Sequence, residues 1–301
     1  MTVAEIAAAL GGACRSGGWW RCQCPVHNSR GATLALRDGE RGLIVKCFAG
    51  CEPRDTFAEL RRRGLVVGPR NGGGDGLRPD AGATRPRRKA EETERRRCIE
   101  AARRLWEAAH DARGSPVVRY LAGRGIIIPL PSSLRWEPRC WHPEARGELP
   151  AMVARVDNID GEPVGVHRTY LAPDDRGQWR RRDRASLGLV GGGAVRLATV
   201  RPDDWLVIGE GIETVASVMQ CTGLPGWGAL SASGIERLLL PPDARMVLIV
   251  ADHDSNGTGE RAAHNAARRW LREGRRVRIA LPPLVGEDAN DLLMGARSVA
   301  A

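Results

Sequence analysis

The sequence predicts an α/β multidomain chain with a small cysteine-rich β domain, a flexible linker, an α+β middle region and a C-terminal Rossmann-like parallel sheet. Three observations predict it. Five of the eight cysteines crowd between Cys14 and Cys51. The stretch "PRNGGGDGLRPDAGATRPRRKAEE" that follows is rich in Gly, Pro and charge and has no apolar periodicity, as a linker does. From Trp205 onward, short apolar runs alternate with helical patterns, which implies parallel strands covered by helices. Composition sets the boundaries at 1–67, 68–90, 91–202 and 203–297.

Each element follows from its local pattern. "MTVAEIAAALGG" reads as a short amphipathic helix. "TLALRDGERGLIVKC" reads as a hairpin whose second strand delivers Cys47. From about Glu91, Cys98, Ala102, Leu105, Trp106 and Ala109 fall at helical spacing, and "SPVVRYLAGRGI" is a shorter helix stopped by Gly125. "AMVARVD", the turn "NIDGE" and "PVGVHRTYL" form a hairpin. In the last part "WLVIGE", "MVLIVAD" and "RVRIALP" are strands. The helix "GERAAHNAARRWLREG" puts Ala262, Ala263, Ala266, Ala267, Trp270 and Leu271 on one face.

The formal net charge is +10, with 46 Lys and Arg against 36 Asp and Glu, which points to an anionic partner. Only Lys46 and Lys89 are lysine; GC-rich coding explains that preference for arginine but not the cation surplus. The first residues carry no secretory pattern, and no apolar run approaches the roughly 20 residues that span a bilayer. The expectation is a cytoplasmic protein without a membrane partner, where thiols stay reduced and clustered cysteines need another purpose.

"CPVH" at Cys24–His27 and "CFAGC" at Cys47–Cys51 supply three thiolates and one imidazole from Cys24, His27, Cys47 and Cys51. That is a closed tetrahedral shell for structural Zn²⁺, and a zinc-ribbon domain this small gains its stability from such a staple. Cys22 competes with Cys24 as a ligand, but the Pro25-directed turn to His27 favours Cys24. Cys14 is spare, and Cys98, Cys140 and Cys221 read as inert thiols.

The second chemical pattern is "RMVLIVADHDSNGTGE". Along a strand Asp252 and Asp254 project to one side and His253 to the other. The strand "WLVIG" likewise runs into Glu210 in "GEGIET". Alone, each acid is a solvated strand end or a helix cap. Two parallel strands repeating the pattern bring Glu210, Asp252 and Asp254 to the edge where ligands bind. Clustered carboxylates repel unless a cation sits among them, and hard oxygens suit Mg²⁺ or Mn²⁺ shared with phosphates. "GEDANDLL" adds Glu287, Asp288 and Asp291 to the rim.

These motifs carry a family resemblance. "CPVHNSRGATLALRD…KCFAGC" resembles the zinc-binding domain of bacterial and phage DNA primases, with three residues between the last two cysteines where replicative primases usually have two, as in phage- and plasmid-borne relatives. Glu210 of "GEGIET", Asp-x-Asp of "ADHDSNG" and "GEDANDLL" resemble the Toprim fold. "LPAMVARVDNIDGEPVGVHRTYL" and "SLGLVGGGAVRLA" are similar to the segment before Toprim in mobile-element primases. The resemblance implies a general acid/base or metal-ligating role for Glu210 and Mg²⁺ chelation by Asp252 and Asp254. Asp288 follows as a further magnesium ligand.

The stretch "QWRRRDRASLGLVGGG" packs Arg180, Arg181, Arg182 and Arg184 together. It reads either as a solvated loop or, with Arg168, as a phosphate-tracking patch for nucleic acid. The resemblance implies a DNA primase, a DNA-directed RNA polymerase that joins ribonucleotides on a single-stranded DNA template. No G-x-x-x-x-G-K-[ST] motif is present, so helicase activity is expected from a separate replicative helicase. Two alternatives stay open: a Toprim nuclease or nicking enzyme using the same acids, and a DNA-binding replication accessory protein without turnover.

Overall fold

In the computed structural model, residues 1–16, 18–27, 31–39, 42–66, 81–255 and 257–300 are described. The chain divides into two units, residues 1–87 and 88–301. Most of the stretch read as a linker lies outside the described residues.

In the first unit, Thr2 and Glu5 cap helix α1 (Val3–Leu10) reciprocally. The Thr2 hydroxyl accepts the Glu5 N–H, and the Glu5 carboxylate accepts the Thr2 N–H. Strands β1 (Cys14–Ser16), β2 (Trp19–Cys22), β3 (Leu34–Gly39) and β4 (Gly42–Cys47) form an antiparallel meander in sequence order. Helix α2 (Pro53–Arg62) follows. The register puts Cys22, Leu34, Leu36, Val45 and Cys47 on one face, buried against Ile6, Leu10 and Leu60. Trp19, Arg21, Ala35, Arg37 and Lys46 lie on the other face.

Helix α3 (Ala81–Ala108), most of which belongs to the second unit, begins ten residues before the start expected at Glu91, inside the segment read as linker. No apolar periodicity marks residues 81–90, so the sequence offered no signal for a helix start there. β5 (His110–Asp111) and helix α4 (Pro116–Gly123), capped by Ser115, lead to β6 (Leu134–His142). β7 (Gly147–Asp157), β8 (Pro163–Pro173) and β9 (Trp179–Gly188) complete a five-stranded antiparallel sheet in the order β5-β6-β7-β8-β9. The "QWRRRDRASLG" stretch is thus a strand. One face of this sheet packs Val153 and Val166 against Ala102 and Trp106 of α3 and against Ala109 just after it. The other joins Met152, Ala154 and Leu171 to Tyr120, Val207 and Val215 in the largest core.

β10 (Val195–Arg196) and β11 (Trp205–Gly209) open the last sheet, followed by α5 (Ile212–Thr222), β12 (Gly226–Gly228) and α6 (Ala232–Arg237). β13 (Met246–Val250), α7 (Thr258–Arg272), β14 (Arg276–Ala280) and α8 (Ala289–Ala300) close it. The strand order is β10-β12-β11-β13-β14, and β11 through β14 run parallel as expected. The sequence reading missed β12, whose "GWG" offers no apolar run. A Cβ at Gly226 would sit 2.4 Å from Val215, so the close approach of α5 requires glycine there. From β11 the chain crosses to β12 on one side, and β13 lies on the other. The crevice between the carboxyl ends of β11 and β13 is therefore a topological switch point, where open α/β sheets bind ligands. No helix among the described residues is long and apolar enough to cross a membrane.

Candidate functional site

The first unit brings Cys24, His27, Cys47 and Cys51 together, with one ligand atom from each inside a 4.8 Å cluster. His27 Nδ1 lies 3.1 Å from Cys51 Sγ and 3.8 Å from Cys47 Sγ, and Cys24 and Cys51 Sγ atoms are 4.0 Å apart. Tetrahedral zinc with bonds of about 2.3 Å to sulfur separates two sulfurs by about 3.8 Å, so the donors fit that ion. The Thr33 hydroxyl lies 3.3 Å from His27 Nε2 and can fix the ring with Nδ1 toward the metal. Burial pushes the Cys51 thiol up to about 12 and raises Cys24. Burial also acts to raise Cys47, but N–H groups of Cys51 and Ala49 outweigh it and hold that thiol below its ordinary value. Cys22 points into the core and takes no part in the cluster.

The second unit gathers acids at the switch point. Glu210 directly follows β11. Asp252 and Asp254 follow β13, which ends at Val250, so strand alternation does not place them as the sequence reading supposed. A pinned loop does: the Ala251 N–H bonds to Ala280 O, and the His253 N–H reaches Glu287 O. His253 Nδ1 lies 2.9 Å from Pro282 O, away from a ligand role. Helix α7 starts against this loop. A Cβ at Gly259 would meet Asp252 O at 2.7 Å and Glu210 Oε1 at 3.1 Å, so glycine lets the acids close on the helix. The Gly259 N–H donates to Asp254 Oδ2 at 3.3 Å, which makes Asp254 partly a helix cap.

Burial, then the charges of Asp252 and Asp254, pushes Glu210 up to about 7. Burial, then Asp288 and Asp254, pushes Asp252 up to about 6. Glu210 Oε1, Asp252 Oδ1 and Glu287 Oε2 are buried without a hydrogen-bond partner. Orphaned anionic oxygens of this kind fit a divalent cation. The acids do not form a closed shell: among the described residues, only the Cys/His tetrad brings three or more ligand atoms together. Few protein ligands and open positions match Mg²⁺, which keeps most of its water. Asp288 Oδ1 accepts the N–H groups of Asn290 and Asp291 and so caps α8, acting on Asp252 through its charge.

The expected basic residues separate. A β-bulge in β9 leaves Arg182 outside the pairing, with Arg181 opposite Leu171 and Arg184 opposite Thr169. Residues three apart thereby share one face. Arg181 and Arg184 line a cavity with His167, Thr169, Glu210 and Glu213. The positive charge of Arg184 partly offsets the upward shifts of Glu210 and Asp252. Arg180 pairs with Asp174 at 3.1 Å on the exposed end of the strand, and Arg182 is exposed. Arg168 corrects an expectation: it is buried on the α3 face, donating to Trp141 O at 3.0 Å and Ser186 O at 3.3 Å. It cannot face nucleic acid because its place in β8, opposite Val153, turns it into the sheet's other core.

Glu213 and Tyr120 escaped the sequence reading. Glu213 is buried on the first turn of α5 and accepts the Tyr120 hydroxyl at 2.6 Å. Spacing one helical turn from Glu210 was the signal available. Leu230 lines the same cavity with φ +71, and its N–H donates to Glu210 O at 2.8 Å. A non-glycine residue held there costs about 1–3 kcal/mol, a strain that clusters at functional sites.

No curated protein matches the chain. Solved structures similar to it include three primases. A DNA primase domain from Pseudomonas aeruginosa shares 19% identity over 66% of this chain and 74% of that one, with a TM-score of 0.41. The zinc-binding and RNA polymerase domains of Aquifex aeolicus primase share 14% over 100% and 82%, TM-score 0.41. The primase fragment of the bacteriophage T7 primase-helicase shares 16% over 60% and 66%, TM-score 0.39. A family described as a domain of unknown function (DUF7146) matches residues 96–197, and the Toprim domain family matches residues 205–297. With its parallel sheet and the acids at the switch point, the segment 205–297 is a Toprim domain.

Proposed function

We propose that this protein is a DNA primase, joining ribonucleotides on single-stranded DNA with residues 203–297 as its catalytic domain. One observation carries the reading: orphaned Glu210 and Asp252 oxygens stand at the switch point of a Toprim domain, with Arg181 and Arg184 lining the same pocket as Glu210. Mg²⁺ or Mn²⁺ held by Glu210, Asp252 and Asp254 would neutralise the charge that develops on the transferring phosphate. Arg181 and Arg184 bind and orient the triphosphate of the incoming nucleotide. Where Glu210 does not ligate the metal, its buried, unpaired Oε1 would accept the proton from the primer 3′-hydroxyl as its oxygen attacks the α-phosphorus and pyrophosphate leaves.

The exposed sheet face of the zinc unit suits the template. Arg21 and Lys46 lie 4.1 and 5.1 Å from the Phe48 ring centroid, and Arg37 lies 4.5 Å from that of Trp19. Interleaved rings and cations offer stacking platforms and phosphate contacts to unpaired bases. A separate helicase would open the duplex, and the reaction belongs in the cytoplasm.

The test is synthesis on single-stranded DNA with ribonucleotides and Mn²⁺, resolved by product. Short RNA that disappears in Glu210→Gln is expected. DNA cleavage lost in the same variant would replace this reading with a nuclease, and DNA binding with neither reaction would replace it with an accessory protein.

A further inference from the structure

We propose that Asn290 is the positioning residue of the acid site: it clamps the loop bearing Asp288 to the helix that follows Glu210 and so holds repelling carboxylates together for a divalent cation. The inference rests on the metal site of the reading above. Asn290 is 1% exposed and sits on the first turn of α8. Its amide donates twice from Nδ2, to Arg124 O at 2.7 Å and to Ser217 Oγ at 2.9 Å. The Ser217 hydroxyl donates its own proton to Glu213 O at 2.8 Å, so toward Asn290 it accepts, which fixes the amide's orientation. The Asn290 backbone N–H donates to Asp288 Oδ1 at 2.8 Å.

Each of these contacts leads to an acid. Ser217 lies on α5, which starts two residues after Glu210. Arg124 ends α4, and its guanidinium stands 3.9 Å from Asp288 Oδ2. α4 is itself tied to α5. Glu213 accepts the Tyr120 hydroxyl, Gln220 Oε1 accepts the Ile127 N–H at 2.6 Å, and Gln220 Nε2 donates to Gly125 O at 3.0 Å. On the far side, the loop before α8 is joined to the residue between Asp252 and Asp254. The Gly286 N–H donates to His253 O at 2.7 Å, and the His253 N–H donates to Glu287 O at 3.4 Å. A continuous run of hydrogen bonds therefore links the helix after Glu210, through Asn290, to the Asp252–Asp254 loop.

Electrostatics explains why a clamp belongs there. After burial, the charge of Asp288 is the largest influence raising Asp252, and Asp252 in turn raises Glu210. Without an ion these charges push the loops apart. The Asn290 side chain opposes that with two bonds to neutral acceptors, whose strength does not depend on the protonation of the acids. Carboxylates already held together bind a cation more tightly, because none of the binding energy goes into assembling them. Losing an outer partner of this kind typically lowers metal affinity about 10–100-fold.

The experiment is calorimetric titration of the zinc-loaded full chain with Mn²⁺, with metal-free melting and primer synthesis measured on the same preparations. The binding event that Asp252→Asn removes is the one at the acids. Asn290→Leu, close in size but without donors, should weaken that event at least tenfold at a temperature where residues 88–301 stay folded. Ser217→Ala should weaken it by about threefold, since the bond to Arg124 O remains. Should Asn290→Leu lose its melting transition, Ser217→Ala decides alone. A purely structural role would lower the metal-free melting temperature and leave the Mn²⁺ affinity of the folded variant within about twofold of the wild type. That result would overturn the inference and leave the primase reading intact. Weakened Mn²⁺ binding in the variants of a wild type that makes no RNA would support the clamp and overturn the primase reading. A wild type that binds no Mn²⁺ at the acids would overturn both.

Discussion

The two units gather ligand atoms in opposite ways. The Cys/His tetrad of the first is closed: four donors from a turn and a strand end converge, and one further hydrogen bond steadies the imidazole. The acids of the second are open: Glu210 and Asp252 keep an unpaired oxygen each, and their charges stay mutually costly. A closed shell stabilises a fold, whereas an open one stores electrostatic cost until a cation and phosphates arrive. That contrast separates a closed centre from an open one, and it gives each centre its own way to fail.

The largest effect should come from the closed site. Cys47→Ser should abolish zinc binding and the folding of the first unit, since structural zinc contributes about 10–16 kcal/mol to folding in small zinc peptides. Elemental analysis and two-transition melting check it: the zinc-free variant should keep the transition of residues 88–301. A retained first transition would break the contrast.

The open site should behave in the reverse sense. The folded-state values of Asp252 and Glu210, about 6 and about 7, lie above those of an unfolded chain. Their contribution to stability is therefore present at low pH and is lost as pH rises from about 4 through 7. Asp252→Asn should then stabilise the metal-free protein by roughly 2 kcal/mol at pH 8 and by little at pH 4. It should also shrink the rise in melting temperature that Mn²⁺ gives the wild type. Destabilisation at pH 8 would mean that Asp252 is satisfied within the protein.

His167 sharpens the comparison from the other direction. Burial lowers its folded-state value to about 4, so its contribution is present above about 6.5 and lost as pH falls toward 4. His167→Gln should lose less stability than the wild type between pH 7 and pH 5 in denaturant titrations, by about 1–2 kcal/mol.

The smallest effect concerns the bulge. Arg181→Ala with Arg184→Ala should weaken nucleoside triphosphate binding and flatten the slope of its log affinity against log salt. The pair Arg180→Ala and Arg182→Ala should change it less. Equal slopes would return the whole strand to a solvated face.

How much of this was legible in the sequence varied with what each feature depends on. Cys24, His27, Cys47 and Cys51 were readable because zinc ligation is a matter of residue type and short spacing. Glu210 and Asp252 were readable because apolar strands that end on acids announce the edge of a parallel sheet. β12 was not, because a strand of glycine and tryptophan is fixed by the passing helix α5 and not by its own pattern. Arg168 and Arg181 look alike in sequence. Only the β7–β8 register and the β9 bulge send one into a core and the other to the acids. Glu213 went unread because its meaning lies in Tyr120, 93 residues away.

The most direct test of the central claim is primer synthesis by the Asp252→Asn variant, with binding of the single-stranded template measured on the same preparation. The account predicts that Mn²⁺-dependent RNA synthesis falls at least a hundredfold while template affinity stays within about twofold, since the zinc unit's basic face is untouched. Synthesis at the wild-type rate in this variant would contradict it.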